Sequence, residues 1–298
     1  MPIHMRQQAI YQAVLLGGLL LLMDGFPLRG EPQEKLRFGD AESSMWEKEE
    51  IKKSKMDVQK PIKLPKKPAF SSQESPGEKV RSIIQSVLPG QEYPKEFRQI
   101  LQIGPRAIPT LVEIFQDSAA LWQSRWIAAM ALGRLGGKKA SDVLKVGLND
   151  PLFLLRMASA QALGNMGDLS TVPEIRKLLS DRALVVRASV ADTLGVLKDR
   201  DSVPALIKEL SASRNFHRGK SVWIRQTIMK SLGAIGDERA VPALMAALQE
   251  KELTIRLEAC EALSRITPQA EPAKLERKES CVTEWTNWGK KESEAKGK

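Results

Sequence analysis

The sequence has two cysteines and two histidines, and aromatic residues make up 5% of its 298 residues. Two cysteines cannot build a disulfide scaffold, and the positions of His4, His217, Cys260 and Cys281 match neither a zinc nor a haem spacing. No G-x-G-x-x-G, G-x-S-x-G or H-E-x-x-H occurs. Gly136-Gly-Lys-Lys139 lacks the first glycine and the Ser/Thr of a phosphate loop. His217 stands in no sequence pattern with a nucleophile or carboxylate and so by itself implies no reaction. The expectation is a chain without metal, cofactor or catalytic residue. Runs of period two are also missing, which argues against half-buried strands.

What the chain has in excess is positive charge: 46 Lys and Arg against 36 Asp and Glu. Most of the surplus falls in residues 76–268, which hold 27 basic and 20 acidic groups. A basic body favours acidic protein, nucleic acid or anionic lipid, without choosing among them.

Residues 1–30 read as a signal peptide or signal anchor. Arg6 precedes Ala13-Val-Leu-Leu-Gly-Gly-Leu-Leu-Leu-Leu-Met23, an uncharged run that stops at Asp24. It is short beside the roughly 20 apolar residues of a membrane span. No A-x-A site follows it, so an uncleaved anchor stands beside a cleaved signal. The expected location is outside the cytoplasm, in the periplasm or cell envelope, with membrane contact only through this segment. Residues 31–77 then carry Lys48, Lys52, Lys53, Lys55, Lys60, Lys63, Lys66 and Lys67, broken by Pro61, Pro65 and Pro68. So few large apolar groups cannot offset the entropy of ordering, and a disordered basic linker is expected.

From residue 78 to 268 a repeat takes over. Arg125, Arg156, Arg187, Arg225 and Arg256 are spaced 31, 31, 38 and 31 residues apart, and each is followed seven residues later by leucine: Leu132, Leu163, Leu194, Leu232 and Leu263. The frame is visible in Leu155-Arg-Met-Ala-Ser-Ala-Gln-Ala-Leu-Gly164 and Val186-Arg-Ala-Ser-Val-Ala-Asp-Thr-Leu-Gly195. A second helical pattern upstream opens with proline at Pro109, Pro173, Pro204 and Pro242, where a missing N–H costs nothing. Each unit is a helix, a short turn and a second helix, closed by glycine as in Gly164-Asn-Met-Gly-Asp168. Such units bury their apolar faces only by stacking, so the expected fold is all-α: a right-handed α-solenoid of about five to six helix pairs.

These residues resemble HEAT repeats of the short, PBS-lyase type, with the pattern D-x-x-[AV]-[VI]-P-x-L…D-x-x-x-x-V-R-x-x-A-x-x-A-L-G. Asp168 to Leu197 and Asp237 to Ile266 follow it closely, and Glu78 to Gly104 is a degenerate opening unit. The T-P-L-H signature of ankyrin is absent. The resemblance implies a binding scaffold. It also implies two rivals, since some relatives hold DNA along a basic concave wall and the lyase members handle bilin chromophores.

At about 100° per residue, positions −1, +3, +4 and +7 from each arginine share its direction and are apolar, so the arginine points inward. Asp150, Asp181 and Glu250 lie six residues before Arg156, Arg187 and Arg256, and predict an arginine–carboxylate ladder between turns. The fourth unit has Gly219 in place of the acid. Positions +1, +5 and +9 face away, giving an inner wall that starts with Trp126, Met130, Arg134, Met157 and Gln161, a candidate partner surface against the alternative of packing on the preceding turn. A seven-residue insertion, with Arg214, Phe216, His217, Arg218, Lys220 and Trp223, is the second candidate. Against it stands a solvated turn with Trp223 closing the local core.

Residues 269–298 form a polar tail whose apolar island, Cys281 to Trp288, is expected to fold back over the last turn. Cys260 and Cys281 read as free thiols, or as a bridge if the compartment oxidises. The function expected from the whole is a non-catalytic protein-binding scaffold of the cell envelope. Its partner is another protein, acidic in one version of the reading, with nucleic acid the less favoured alternative.

Overall fold

The computed structural model describes residues 74–87, 93–218, 220–268, 270 and 280–296. The apolar N-terminal segment and all but the end of the basic linker lie outside these. The first helix, α1 (Pro76–Ser86), starts two residues ahead of the expected boundary. The Ser75 hydroxyl accepts from the Glu78 amide at 3.2 Å and the Glu78 carboxylate accepts from the Ser75 amide at 2.8 Å, a reciprocal cap.

Among the described residues six helix pairs follow one another. The first helices of the pairs are α1, α3 (Ile108–Gln116), α5 (Lys138–Gly147), α7 (Val172–Lys177), α9 (Val203–Leu210) and α11 (Val241–Ala247). The second helices are α2 (Pro94–Ile103), α4 (Trp122–Leu135), α6 (Phe153–Met166), α8 (Leu184–Val196), α10 (Ile224–Ile235) and α12 (Leu253–Ile266). Pro109, Pro173, Pro204 and Pro242 each stand in the first turn of a first helix. In the third pair the pattern lacks proline, and Gly136 and Gly137 enter α5 at φ 72° and 93° instead.

The second helices stack directly on one another from α2 to α12, and each also packs on its own first helix. With cover on three sides they are apolar around most of their circumference. Buried residues run continuously from Val80 to Ile266, so the core is one column. The expected all-α solenoid is therefore the fold.

Close stacking depends on the residue eight after each ladder arginine. A Cβ on Gly133 would lie 2.6 Å from Ala162 Cα, and one on Gly233 would lie 2.9 Å from Ala262 Cα. Gly164 and Gly195 face Thr193 and Ser231 in the same way. The terminal glycines do something else: Gly167 and Gly236 close α6 and α10 in left-handed conformations, at φ 69° and 72°. Asp168 and Asp237 next receive the Ser170 and Arg239 amides, starting the single-turn helix before each following pair.

Two features depart from the sequence reading. The insertion forms a two-stranded antiparallel hairpin, β1 (Phe216–His217) with β2 (Lys220–Ser221), pairing Phe216 with Ser221 and His217 with Lys220. Strands two residues long are below the length at which alternation can be read. The tail forms a full helix, α13 (Cys281–Lys296), which packs on α11 and α12. Trp285 is completely buried there and meets Trp288 edge to face at 5.3 Å. Cys260 and Cys281 are bonded, with Cα atoms 6.2 Å apart, so of the two states left open by the sequence the structure has the bridge.

Candidate binding surfaces

The ladder is built as a relay. Asp150 lies 25 residues after Arg125 and accepts from its Nη2 at 2.6 Å. Arg156 grips Asp181 with two bonds, Nε to Oδ2 at 2.7 Å and Nη2 to Oδ1 at 2.9 Å. Arg225 binds both oxygens of Glu250, with Nη1 to Oε2 at 2.7 Å. Each acid thus serves the arginine of the preceding unit, while the backbone at its own position serves its own. Arg156, Arg187 and Arg256 donate from Nη1 to the carbonyls of Asp150, Asp181 and Glu250 at 2.9 Å. Asp150 and Asp181 also receive the Leu152 and Ala183 amides, which start α6 and α8.

Burial pushes the Asp181 carboxyl upward. The Arg156 bonds, the Ala183 amide and the charges of Arg156 and Arg182 outweigh it, so the group lies below its ordinary range.

One rung differs. Gly219 offers no acid to Arg187, whose Nη2 bonds the Asn215 Oδ1 at 3.1 Å instead. Asn215 is fully buried, held by a 2.7 Å bond from its Nδ2 to the Glu209 carbonyl. Arg187 Nε and Glu209 Oε2 have no partner among the described residues. Burial, with the charge of Arg214 added, pulls the Arg187 guanidinium below its usual range.

The inner wall opens toward the C-terminal ends of the second helices. At +1, Trp126, Met157 and Ala188 are buried; at +5, Gln161 and Asp192 are half-buried while Lys230 and Glu261 are exposed. At +9, Arg134, Asn165, Val196, Ala234 and Arg265 are all exposed. This corrects the apolar groove expected from Trp126, Met130 and Met157. Met157 has no exposed surface, and Trp126 and Met130 are buried as well, because neighbouring second helices cover the flanks of each helix at its start. Burial pushes the Tyr93 phenol of the preceding unit up to about 12, partly countered by Trp126. Arg134 and Gln161 remain on the open wall. Burial raises the Asp192 carboxyl, only partly countered by Lys230 of the next unit.

On the edge formed by the turns within each pair, the hairpin presents Arg214, His217, Arg218 and Lys220 to solvent. Its aromatics are engaged elsewhere. Phe216 lies under the Arg225 guanidinium at 4.4 Å, and Trp223 is buried where α10 begins, as the packing alternative had it. Arg214 pairs with Glu209. Among the described residues there is no group of three His, Cys, Asp or Glu that could hold a metal ion.

The same frame holds a column that motif reading passes over. Five residues before Arg187, Arg225 and Arg256 stand Arg182, Lys220 and Lys251, all exposed. The signal was the 31-residue period, applied to a position that carries no signature.

A family model describing HEAT repeats matches residues 144–219 and 214–279. Residues 144–279 therefore carry HEAT repeats within the solenoid. Among curated proteins none matches the chain. Among solved structures, this chain is similar to a chain of the complex of CpcE and CpcF of phycocyanin lyase from Nostoc sp. PCC7120. The two are 29% identical with a TM-score of 0.48, over 56% of this chain and 66% of the other's length. It is also similar to an engineered protein, at 18% identity and TM-score 0.44 over 66% and 93% of the two chains. Human deoxyhypusine hydroxylase in complex with glycerol is a third, at 20% identity and TM-score 0.34 over 71% and 97%.

Proposed function

We propose that this HEAT solenoid is a non-catalytic scaffold that binds another protein along its inner wall, with the basic hairpin as a second contact. The supporting observation is the direction and pairing of the ladder. The arginines are turned into the stack, and Arg125, Arg156 and Arg225 are matched to Asp150, Asp181 and Glu250. The open wall therefore carries mixed polar groups, Gln161, Asp192, Lys230, Glu261 and Arg265, in place of a row of cations. A wall of both signs suits a folded protein surface better than a polyanion. Of the two aromatics of the insertion, Phe216 is half-buried with the Arg225 guanidinium over its ring and Trp223 is buried, so neither presents a free face for stacking on bases.

The site of action in this reading is the cell envelope, reached through the segment around Ala13 to Met23. The Cys260–Cys281 bond supports an oxidising compartment.

Crosslinking in intact cells tests the reading, with residues 134, 161, 230 and 265 carrying the crosslinker in turn, together with fractionation. One protein recovered in near-equal amount from several of these positions, in the envelope fraction, is the expected result. Recovery of no protein, with duplex DNA bound along a steep salt dependence, overturns the scaffold in favour of nucleic acid. Recovery from the cytosol overturns the envelope assignment.

A further inference from the structure

Helix α13 closes the end of the stack through a single narrow stripe. Cys281, Val282, Trp285 and Trp288 recur at helical spacing and pack on the core. One residue further, a Cβ on Gly289 would run into the Met245 methyl of α11, so the helix lies close there. Beyond this point it stands clear of the stack, with Lys290, Lys291 and Glu294 exposed.

The hold of this stripe is weak beside that of the helix it covers. Among the described side chains of α13 only Trp285 is buried, whereas α12 buries Ile255, Ala259, Cys260, Ala262, Leu263 and Ile266. The anchor is also imperfect. Trp285 Nε1 is buried with no hydrogen-bond partner among the described residues, which takes back part of what the ring gains by leaving water. A bond from Gln249 Nε2 to Thr286 Oγ1, at 3.5 Å, lies at the limit of a hydrogen bond. A helix of 16 residues is marginal in water by itself. Docking of α13 by these contacts alone is therefore near balance, and the covalent bond decides it. Cys281 is the first residue of α13 and is joined to Cys260 in the middle of α12, across 21 residues of sequence. Closing a loop of that length favours the docked state by on the order of a hundredfold.

We infer that the Cys260–Cys281 bond is a redox latch. Oxidised, it keeps α13 on the end of the stack; reduced, it lets α13 detach while the six helix pairs stay folded. Opening is a thiol–disulfide exchange with an external dithiol, which gives two electrons and two protons to the bond and itself becomes a disulfide. Cys260 and Cys281 are left as thiols. Release bares Cys260, now 4% exposed, and the side of Met245 that faces Gly289. The latch does not depend on the scaffold reading.

Hydrogen–deuterium exchange, read by mass spectrometry on the full chain in oxidised and in reduced dithiothreitol, tests the inference. The amides of α13 should be protected in the oxidised chain. Reduction should bring them to within about tenfold of the unprotected rate, while those of α12 stay at least about a hundredfold slower. Iodoacetamide should then label Cys260 in the reduced chain while circular dichroism remains helical. Cys281→Ser should give the reduced pattern in both buffers. Helix α13 keeping its protection after reduction would show that Trp285 suffices to hold it, and overturns the latch. Equal exchange of α12 and α13 in the reduced chain overturns it as well, because the bond would then staple the last pair together instead of gating one helix.

Discussion

Arg156 and Arg187 occupy the same position in adjacent units, and their different partners make a direct comparison. Arg156→Met leaves the buried Asp181 without its guanidinium, which should cost about 3–5 kcal/mol in urea unfolding. Arg187→Met strands no carboxylate, only the Asn215 amide and two carbonyls, and should cost about 1–3 kcal/mol. Equal losses would show that the ladder carboxylates contribute nothing specific. The acids also give a pH signature. The Asp181 and Asp199 carboxyls are pushed up by burial but lowered further by their partners, Arg156 for one and Ser202 with Arg176 for the other. Because both folded values are depressed, the stability they contribute is present above the unfolded range near pH 4. It is lost as pH falls through that range and below it. Asp181→Asn should flatten the acid limb of a stability–pH curve, whereas Asp192, raised by burial, contributes with the opposite sign.

At the scale of the element, the second helices approach closely because small residues recur in the frame. Gly133→Ala sets a methyl against the α6 backbone and should destabilise by about 1–3 kcal/mol, since backbone cannot move aside. Gly164→Ala meets the Thr193 methyl, a side chain with some freedom, and should cost less. Thermal melts of the two variants decide the order. Met157→Asp buries a charge at the contact between stacked helices and should collapse the fold outright, rather than remove a partner from an intact solenoid.

For the whole molecule the exposed end of the stack is the vulnerable point. Helix α13 covers it, with Trp285 in the terminal core and Cys281 joined to Cys260 across 21 residues of sequence. Opening a loop of this length by reduction or by Cys281→Ser should lower stability by about 3 kcal/mol, seen as a lower melting temperature in reducing buffer. Trp285→Ala should cost about 3–5 kcal/mol and leave the earlier pairs folded, since each unit of a solenoid leans mainly on its neighbours. A melt that stays cooperative over the whole chain would contradict that local loss.

The period of 31, the inward arginines and the proline-led helices were all legible in the sequence, because a repeated packing environment imposes the same residue type at the same phase each time. The fold followed from that repetition. Which residues face a partner did not. A helical wheel gives direction around one helix, but whether Trp126 or Met157 is reachable depends on neighbours packed along its flanks, and these are set by the stack. The hairpin depended likewise on tertiary context, since seven inserted residues leave no periodic trace and Asn215 takes the acid's place only by being folded beneath the turn.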